Sequence, residues 1–262
     1  MSTYYIEIRM NKYILALSAA LIGSQVQAAT PAALPEPVKQ LEKQGIEIIK
    51  PFTAPGGVQG WLGKYQGTGV TIYLTPDKKH AISGYMYDES GSNLSEQVIK
   101  EEIYIPAGRE MWQTLLKAPG IMEGSNKANC QIVVFADPFC PYCTKFRQEV
   151  QPYIQDNKIA MKTQLVGVMQ PDSGRYAAAI LSSDNPAKVW QDFELSGGKN
   201  KPALLEKTPQ PIFSQIQYNQ KLMDDVGANG TPAIYYLNHA NMLQQIVGLP
   251  DQEQMANLIA CK

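Results

Sequence analysis

QIVVFADPFCPYCTKFR, residues 131–147, joins a buried strand to a pair of cysteines. Ile132-Val133-Val134-Phe135-Ala136 is apolar, rich in β-branched side chains and too short for a free-standing helix, so it reads as a strand buried on both faces. Asp137-Pro138 ends it, and Asp137 reads as a turn residue. Cys140-Pro141-Tyr142-Cys143 follows at once and leads into a helix expected over 144–153. A helix N-terminus presents unpaired N–H groups and the positive end of the macrodipole, which stabilise a thiolate on Cys140. Cys143 stands one turn further on, within reach of a disulfide and expected to be buried, with Cys140 at the exposed helix end. Pro141 fits the first turn, where its missing N–H costs nothing.

Other uses of these cysteines fit less well. Half of a zinc site would need a second pair, but the remaining cysteines are Cys130 and Cys261, and the histidines are His80 and His239. Haem attachment would need His after Cys143, where Thr144 stands. A purely structural disulfide across so short a loop constrains the unfolded chain little. The motif therefore reads as a redox dithiol that needs neither metal nor cofactor.

The chain of 262 residues has room for one large or two small domains. Its 44% hydrophobic and 18% charged residues describe an ordinary globular protein, and a formal charge of −1 points to neither nucleic acid nor a polybasic membrane contact. Arg9 and Lys12 precede a short apolar core over 13–22, and Val26-Gln27-Ala28 suits signal peptidase, with Ala29 as a rival position. Residues 1–28 are thus expected to be an export signal, with Met10 a more ordinary start. The mature chain is expected to be soluble, in a compartment where disulfides persist.

After a Pro-rich start, a helix is expected over 38–44, then strands over 46–52, 60–65, 69–74 and 80–87 with Gly- and Pro-containing turns between them. This small α+β unit, 29–92, has open strand edges and a thin core that a partner chain would cover. Asn93 and Glu96 mark the start of a helix expected to run to Tyr104 and to break at Pro106, with a second helix over 109–117. Residues 93–126 read as a helical linker and boundary, and turns are expected over 119–129. In the last domain, 127–262, a strand over 160–166, helices over 173–195 (interrupted at Pro186) and 212–226, and strands over 233–237 and 242–247 lead to a helix over 251–260. Strand, Cys-x-x-Cys helix, strand, helices, Pro, hairpin and helix is the thioredoxin order with a helical insertion. In that order, Thr231-Pro232 falls where the fold places a cis-proline beside the dithiol, leaving backbone groups free for an extended substrate.

FADPFCPYC (135–143) and GANGTPAIYY (227–236), with GKYQGTGVTIYLTPD (63–77), HAISGYMY (80–87) and PAGREMW (106–112), resemble the DsbC/DsbG family of periplasmic disulfide isomerases. Pro141-Tyr142 fits the DsbG members better than the DsbC members, which carry Gly-Tyr. The resemblance covers nearly the whole mature chain. It implies an α+β dimerisation domain, a helical linker and a thioredoxin-like α/β catalytic domain. It implies a periplasmic homodimer whose Cys140 attacks substrates and whose Cys143 resolves the mixed disulfide, with Thr231 and Pro232 holding the substrate strand. The substrates would be exported proteins with disulfides or oxidised cysteines, and an inner-membrane donor of the DsbD type would return electrons. A DsbA-like oxidase is a rival reading, opposed by the N-terminal domain and by Tyr142 where such motifs carry His. A holdase chaperone is another, and it can coexist with the first.

Cys130, Cys261 and the long N-terminus depart from the family pattern. In a thioredoxin-like sheet, Cys130 starts the central strand, at the end opposite Cys140. The last helix runs back to the same end and delivers Cys261 there. A Cys130–Cys261 disulfide, at a Cα separation of roughly 4.4–6.8 Å, is therefore expected to staple that helix to the core, the alternative being two buried free thiols.

Overall fold

The structure is a computed structural model that describes residues 33–262, so the expected export segment, 1–28, lies outside the described residues. Among the described residues, no helix is long and apolar enough to cross a membrane.

Helix α1 (Glu36–Lys43) packs on an antiparallel sheet of β1 (Glu47–Thr53), β2 (Gln59–Tyr65), β3 (Thr68–Leu74) and β4 (Ala81–Ser83), in that spatial order. The two-residue period of a strand sends Trp61 towards α1, with Val38, Ile72 and Leu74, and sends Leu62 to the other face, with Ile99 and Ile103. β4 is shorter than the strand expected over 80–87. Beyond it, Met86 gives its N–H to the Ser95 hydroxyl (2.8 Å) and its carbonyl to Leu94 N–H (2.9 Å), partners that replace a ladder on β3. Ile82, Tyr85 and Tyr87 are left exposed at this edge.

α2 (Leu94–Ile99) starts with Asn93 Oδ1 accepting from Glu96 N–H at 3.0 Å. The expected break at Pro106 does not occur. The chain passes through a wide turn, Lys100–Tyr104, directly into α3 (Ile105–Lys117), and Ile105 N–H bonds to Lys100 O. Proline lacks an N–H and its ring crowds the carbonyl four residues back; widening the preceding turn relieves both problems without ending the helix. α3 then docks on the second sheet through Trp112 and Leu115.

That sheet has the order β5-β7-β6-β8-β9. β5 (Ile121–Glu123) lies within the stretch read as turns; its three residues pair antiparallel with β7 (Ile159–Leu165). β6 (Cys130–Ala136) runs parallel to β7 and antiparallel to β8 (Ala233–Leu237), and β9 (Leu243–Val247) closes the far edge. Ile132, Val134 and Ala136 face one core, with α4 (Pro141–Gln155), α5 (Ser173–Leu181), α6 (Pro186–Leu195) and α8 (Gln252–Ala260). Val133 and Phe135 face the other, with α3 and α7 (Gln210–Asp225). Burial on both faces explains the unbroken apolar run of β6 and fixes its C-terminal end at the centre of the sheet.

Candidate active site

The chain leaves β6 at Asp137, which is fully buried. Its carboxylate accepts from Phe139 N–H (2.8 Å), Val168 N–H (2.7 Å), Met169 N–H (3.0 Å) and the Ser173 hydroxyl (2.8 Å). The expected turn role is thus one part of a larger one. Its carbonyl accepts from Cys140 N–H at 3.0 Å, and Cys140 becomes the N-cap of α4 with Pro141 in the first turn. Tyr142 points out, 58% exposed.

At the helix N-terminus, Cys143 N–H lies 3.3 Å from Cys140 Sγ, and the two cysteines are reduced. The peptide bond Thr231-Pro232 is cis. The preceding loop carries Thr231 against the dithiol, where Cys140 Sγ donates to Thr231 O at 3.1 Å. Cys140, Cys143, Thr231 and Pro232 are therefore brought together. Cys140 is not at an exposed helix end, however: it is 1% exposed, because its thiol is drawn onto the Thr231 carbonyl.

The two sulfurs differ in acidity. The hydrogen bond from the Cys143 thiol brings Cys140 down to about 6; burial opposes this, and the Thr231 side chain and the Cys143 and Tyr142 N–H groups assist. The Thr231 hydroxyl has no other hydrogen-bond partner and is free to turn towards the sulfur. Burial, then the neighbouring Cys140 sulfur, push the Cys143 thiol far above the ordinary thiol range.

A second buried polar group, missed in the sequence reading, flanks α4. Glu194 on α6 is fully buried and neither carboxyl oxygen has a hydrogen-bond partner. Burial pushes it up to about 8; the Cys140 and Glu123 charges push the same way, while Thr144 and Arg147 oppose. Arg147, also on α4, makes a buried ion pair with Glu123 of β5 and bonds Gln151. Burial nevertheless raises Glu123, outweighing the attraction of Arg147. A sequence signal for Glu194 existed: Ala187, Trp190 and Glu194 share one helix face at spacings of three and four, and Trp190 is core. For its wider role Asp137 carried no such signal, since Val168, Met169 and Ser173 lie more than 30 residues away and only Phe139 is local.

Cys130 and Cys261 meet at the opposite end of β6, joined by a disulfide with Cα atoms 5.4 Å apart. Cys261 caps α8 in a left-handed conformation (φ 55°), and its carbonyl accepts from His239 N–H at 3.0 Å.

Comparison with known proteins agrees with this architecture. Residues 25–96 match the disulfide bond isomerase protein N-terminal domain, and residues 121–260 match the thioredoxin-like domain. The thiol:disulfide interchange protein DsbG of Escherichia coli is 56% identical over 225 residues, 85% of this chain and 90% of that protein. DsbG of Pseudomonas aeruginosa is 34% identical over 96% of this chain and 98% of its own length. The thiol:disulfide interchange protein DsbC of Escherichia coli is more distant, 26% identical over 76% of this chain and 77% of its own. With two relatives above 30% identity matched over nine-tenths or more of their lengths, the chain belongs to the DsbG family of thiol:disulfide interchange proteins.

Proposed function

We propose that this thiol–disulfide oxidoreductase works as a periplasmic, homodimeric isomerase and reductase, with Cys140 as nucleophile and Cys143 as resolving thiol. The acidity split carries the reading: Cys140 ionises at about 6 while Cys143 stays a thiol. A Cys140 thiol donates to Thr231 O, whereas a thiolate has no proton to give and is repelled by that oxygen. Ionisation therefore both activates the sulfur and releases it from its cover.

The thiolate attacks one sulfur of a substrate disulfide, forming a Cys140 mixed disulfide and expelling the other sulfur as thiolate. With a sulfenic acid, the leaving group is hydroxide. Cys143 then loses its proton and attacks Cys140 Sγ, which expels reduced substrate and leaves the Cys140–Cys143 disulfide. Two electrons have passed to the substrate, and a membrane donor of the DsbD type would replace them. In isomerisation a substrate thiol resolves the intermediate instead, and no donor is needed. The Thr231-Pro232 backbone would hold the substrate strand beside the sulfur.

Export to the periplasm is supported by the apolar segment and cleavage pattern over 1–28. Dimerisation through 29–92 is supported by the open β4 edge and by exposed Ile82, Tyr85 and Tyr87 beside an apolar recess floored by Val58, Leu74 and Met86. The linker over 93–126 would then space two catalytic domains, 127–262, about one cleft. Light scattering at micromolar concentration is expected to give twice the chain mass; a monomer would count against the dimer. In cells, Cys143→Ser is expected to accumulate mixed disulfides with exported proteins and Cys140→Ser to form none. Equal trapping by both variants would overturn the assignment of roles.

A further inference from the structure

The segment after β7 is fastened through four of its first five N–H groups, those of Val166, Val168, Met169 and Gln170. Val168 and Met169 N–H go to Asp137, and Gln170 N–H goes to Ser173 Oγ at 3.0 Å. On the carbonyl side, Asn219 Nδ2 donates to Leu165 O (3.2 Å) and Gln220 Nε2 to Gly167 O (2.9 Å). Asp137, Ser173 and Asn219 are fully buried, so the clamp lies in the core rather than at the surface. Gly167 crosses α5 so closely that a Cβ would sit 2.6 Å from Gly174 Cα. So rigid a loop would ordinarily turn its apolar residues inward. Here Val168 and Met169 are 51% and 50% exposed.

Their position gives the reason. Val166 N–H bonds to Ala136 O, the residue before Asp137, and the Asp137 carbonyl accepts from Cys140 N–H. One residue thus sets both the entry to the reactive helix and the placement of two apolar side chains beside it. We propose that Asp137 is a positioning residue that holds Val168 and Met169 as a preorganised contact for apolar residues flanking the reacting cysteine of a non-native substrate chain. A loop free to move would lose entropy on binding; this one has lost it on folding. Apolar flanks are what a misfolded chain exposes and a native surface hides, so the contact selects substrates by folding state. The proposal rests on Cys140 being the sulfur that meets substrate.

The test compares kcat/KM for two disulfides, a peptide with apolar residues beside its cysteine and glutathione disulfide. The doubly substituted V168S/M169S changes only exposed side chains. Its preference for the apolar peptide over glutathione disulfide is expected to fall about tenfold, as for losing contact with two half-exposed apolar side chains. Asp137→Asn turns an acceptor of three N–H groups and a hydroxyl into a group that also donates. It is expected to lower the same preference, and to lower it little further when combined with V168S/M169S. An unchanged preference in V168S/M169S would overturn the contact. Additive losses would overturn the positioning role of Asp137. A wild-type protein inert towards both disulfides would instead overturn the redox reading beneath them.

Discussion

The Cys140 sulfur lies 3.1 Å from the carbonyl oxygen of Thr231, a residue 91 positions later in the chain. Because Cys140 is held at about 6, alkylation of the reduced protein should rise through an inflection near pH 6. Peptide mapping should place the first label on Cys140. Cys143→Ala removes the largest cause of this acidity, so its inflection should move up towards the ordinary thiol range. First labelling at Cys143 in the wild type would reverse the roles.

Glu194 makes stability depend on pH. An acid raised from 4.5 to about 8 keeps its proton in the folded state through a window where the unfolded chain has released it. More protons on the folded state mean that stability falls as pH rises from about 4.5 to about 8, then levels off. The loss is on the order of a few kcal/mol. Glu194→Gln should remove it and so gain on the wild type steadily across that window. Glu123, also raised by burial, contributes a slope of the same sign that the variant keeps. Denaturant melts at pH 5, 6.5 and 8 would show this, using oxidised protein so that Cys140 does not titrate. Parallel wild-type and variant curves would rule out the buried charge as their source.

What could be read from the sequence followed the range of the interactions. β6 and the start of α4 are specified within seventeen residues, by an apolar run and a helix-initiating Pro; β6 stands where expected, and α4 begins at Pro141, three residues before the expected 144. The Cys130–Cys261 pairing was legible because, in the thioredoxin order, the directions of the strands and of the last helix bring both residues to one end of the sheet. β5 was not, since three residues carry no periodicity and their partner, β7, lies some 40 positions away. The strand expected to reach Tyr87 shrank because a hydroxyl from Ser95 and the N–H of Leu94 competed for its backbone groups. Pro106 misled because a breaker rule assumes a regular helix, and a wide turn meets the same steric demand. Burial of Cys140 depends on the Thr231 carbonyl, which no local pattern reveals.

The Cys130–Cys261 disulfide closes a loop of 131 residues, for which loop-closure entropy gives about 5 kcal/mol. The C-terminus is also held by Tyr236 Oη on Lys262 O and by His239 N–H on Cys261 O, so removing the sulfurs does not free α8 completely. Cys130→Ala/Cys261→Ala should therefore lose about 2–5 kcal/mol in denaturant melts. Its alkylation profile at Cys140 should match the wild type, because β6 separates the two sites by about 20 Å. Mild reductant should free two thiols in the native protein and four only after unfolding, since both sulfurs of the staple are buried. Two thiols in the fully oxidised, denatured chain would mean that the staple does not form.

Gly108 decides how closely the linker helix sits on the catalytic sheet. A Cβ there would lie 3.0 Å from Leu243 Cβ and 3.4 Å from Leu243 N, so α3 passes directly over the start of β9. Gly108→Ala sets two effects against each other. Alanine is better in a helix than glycine by about 1 kcal/mol, while its methyl must push Leu243 aside by a few tenths of an ångström. The net change should be small. Gly108→Val adds two further methyl groups into the same contact with no such gain in helix propensity, and should cost about 1–3 kcal/mol. The loss should appear in denaturant melts, together with faster tryptic cleavage after Lys117, where α3 ends. A Gly108→Val protein as stable and as protease-resistant as the wild type would show that α3 is not docked on β9 in solution.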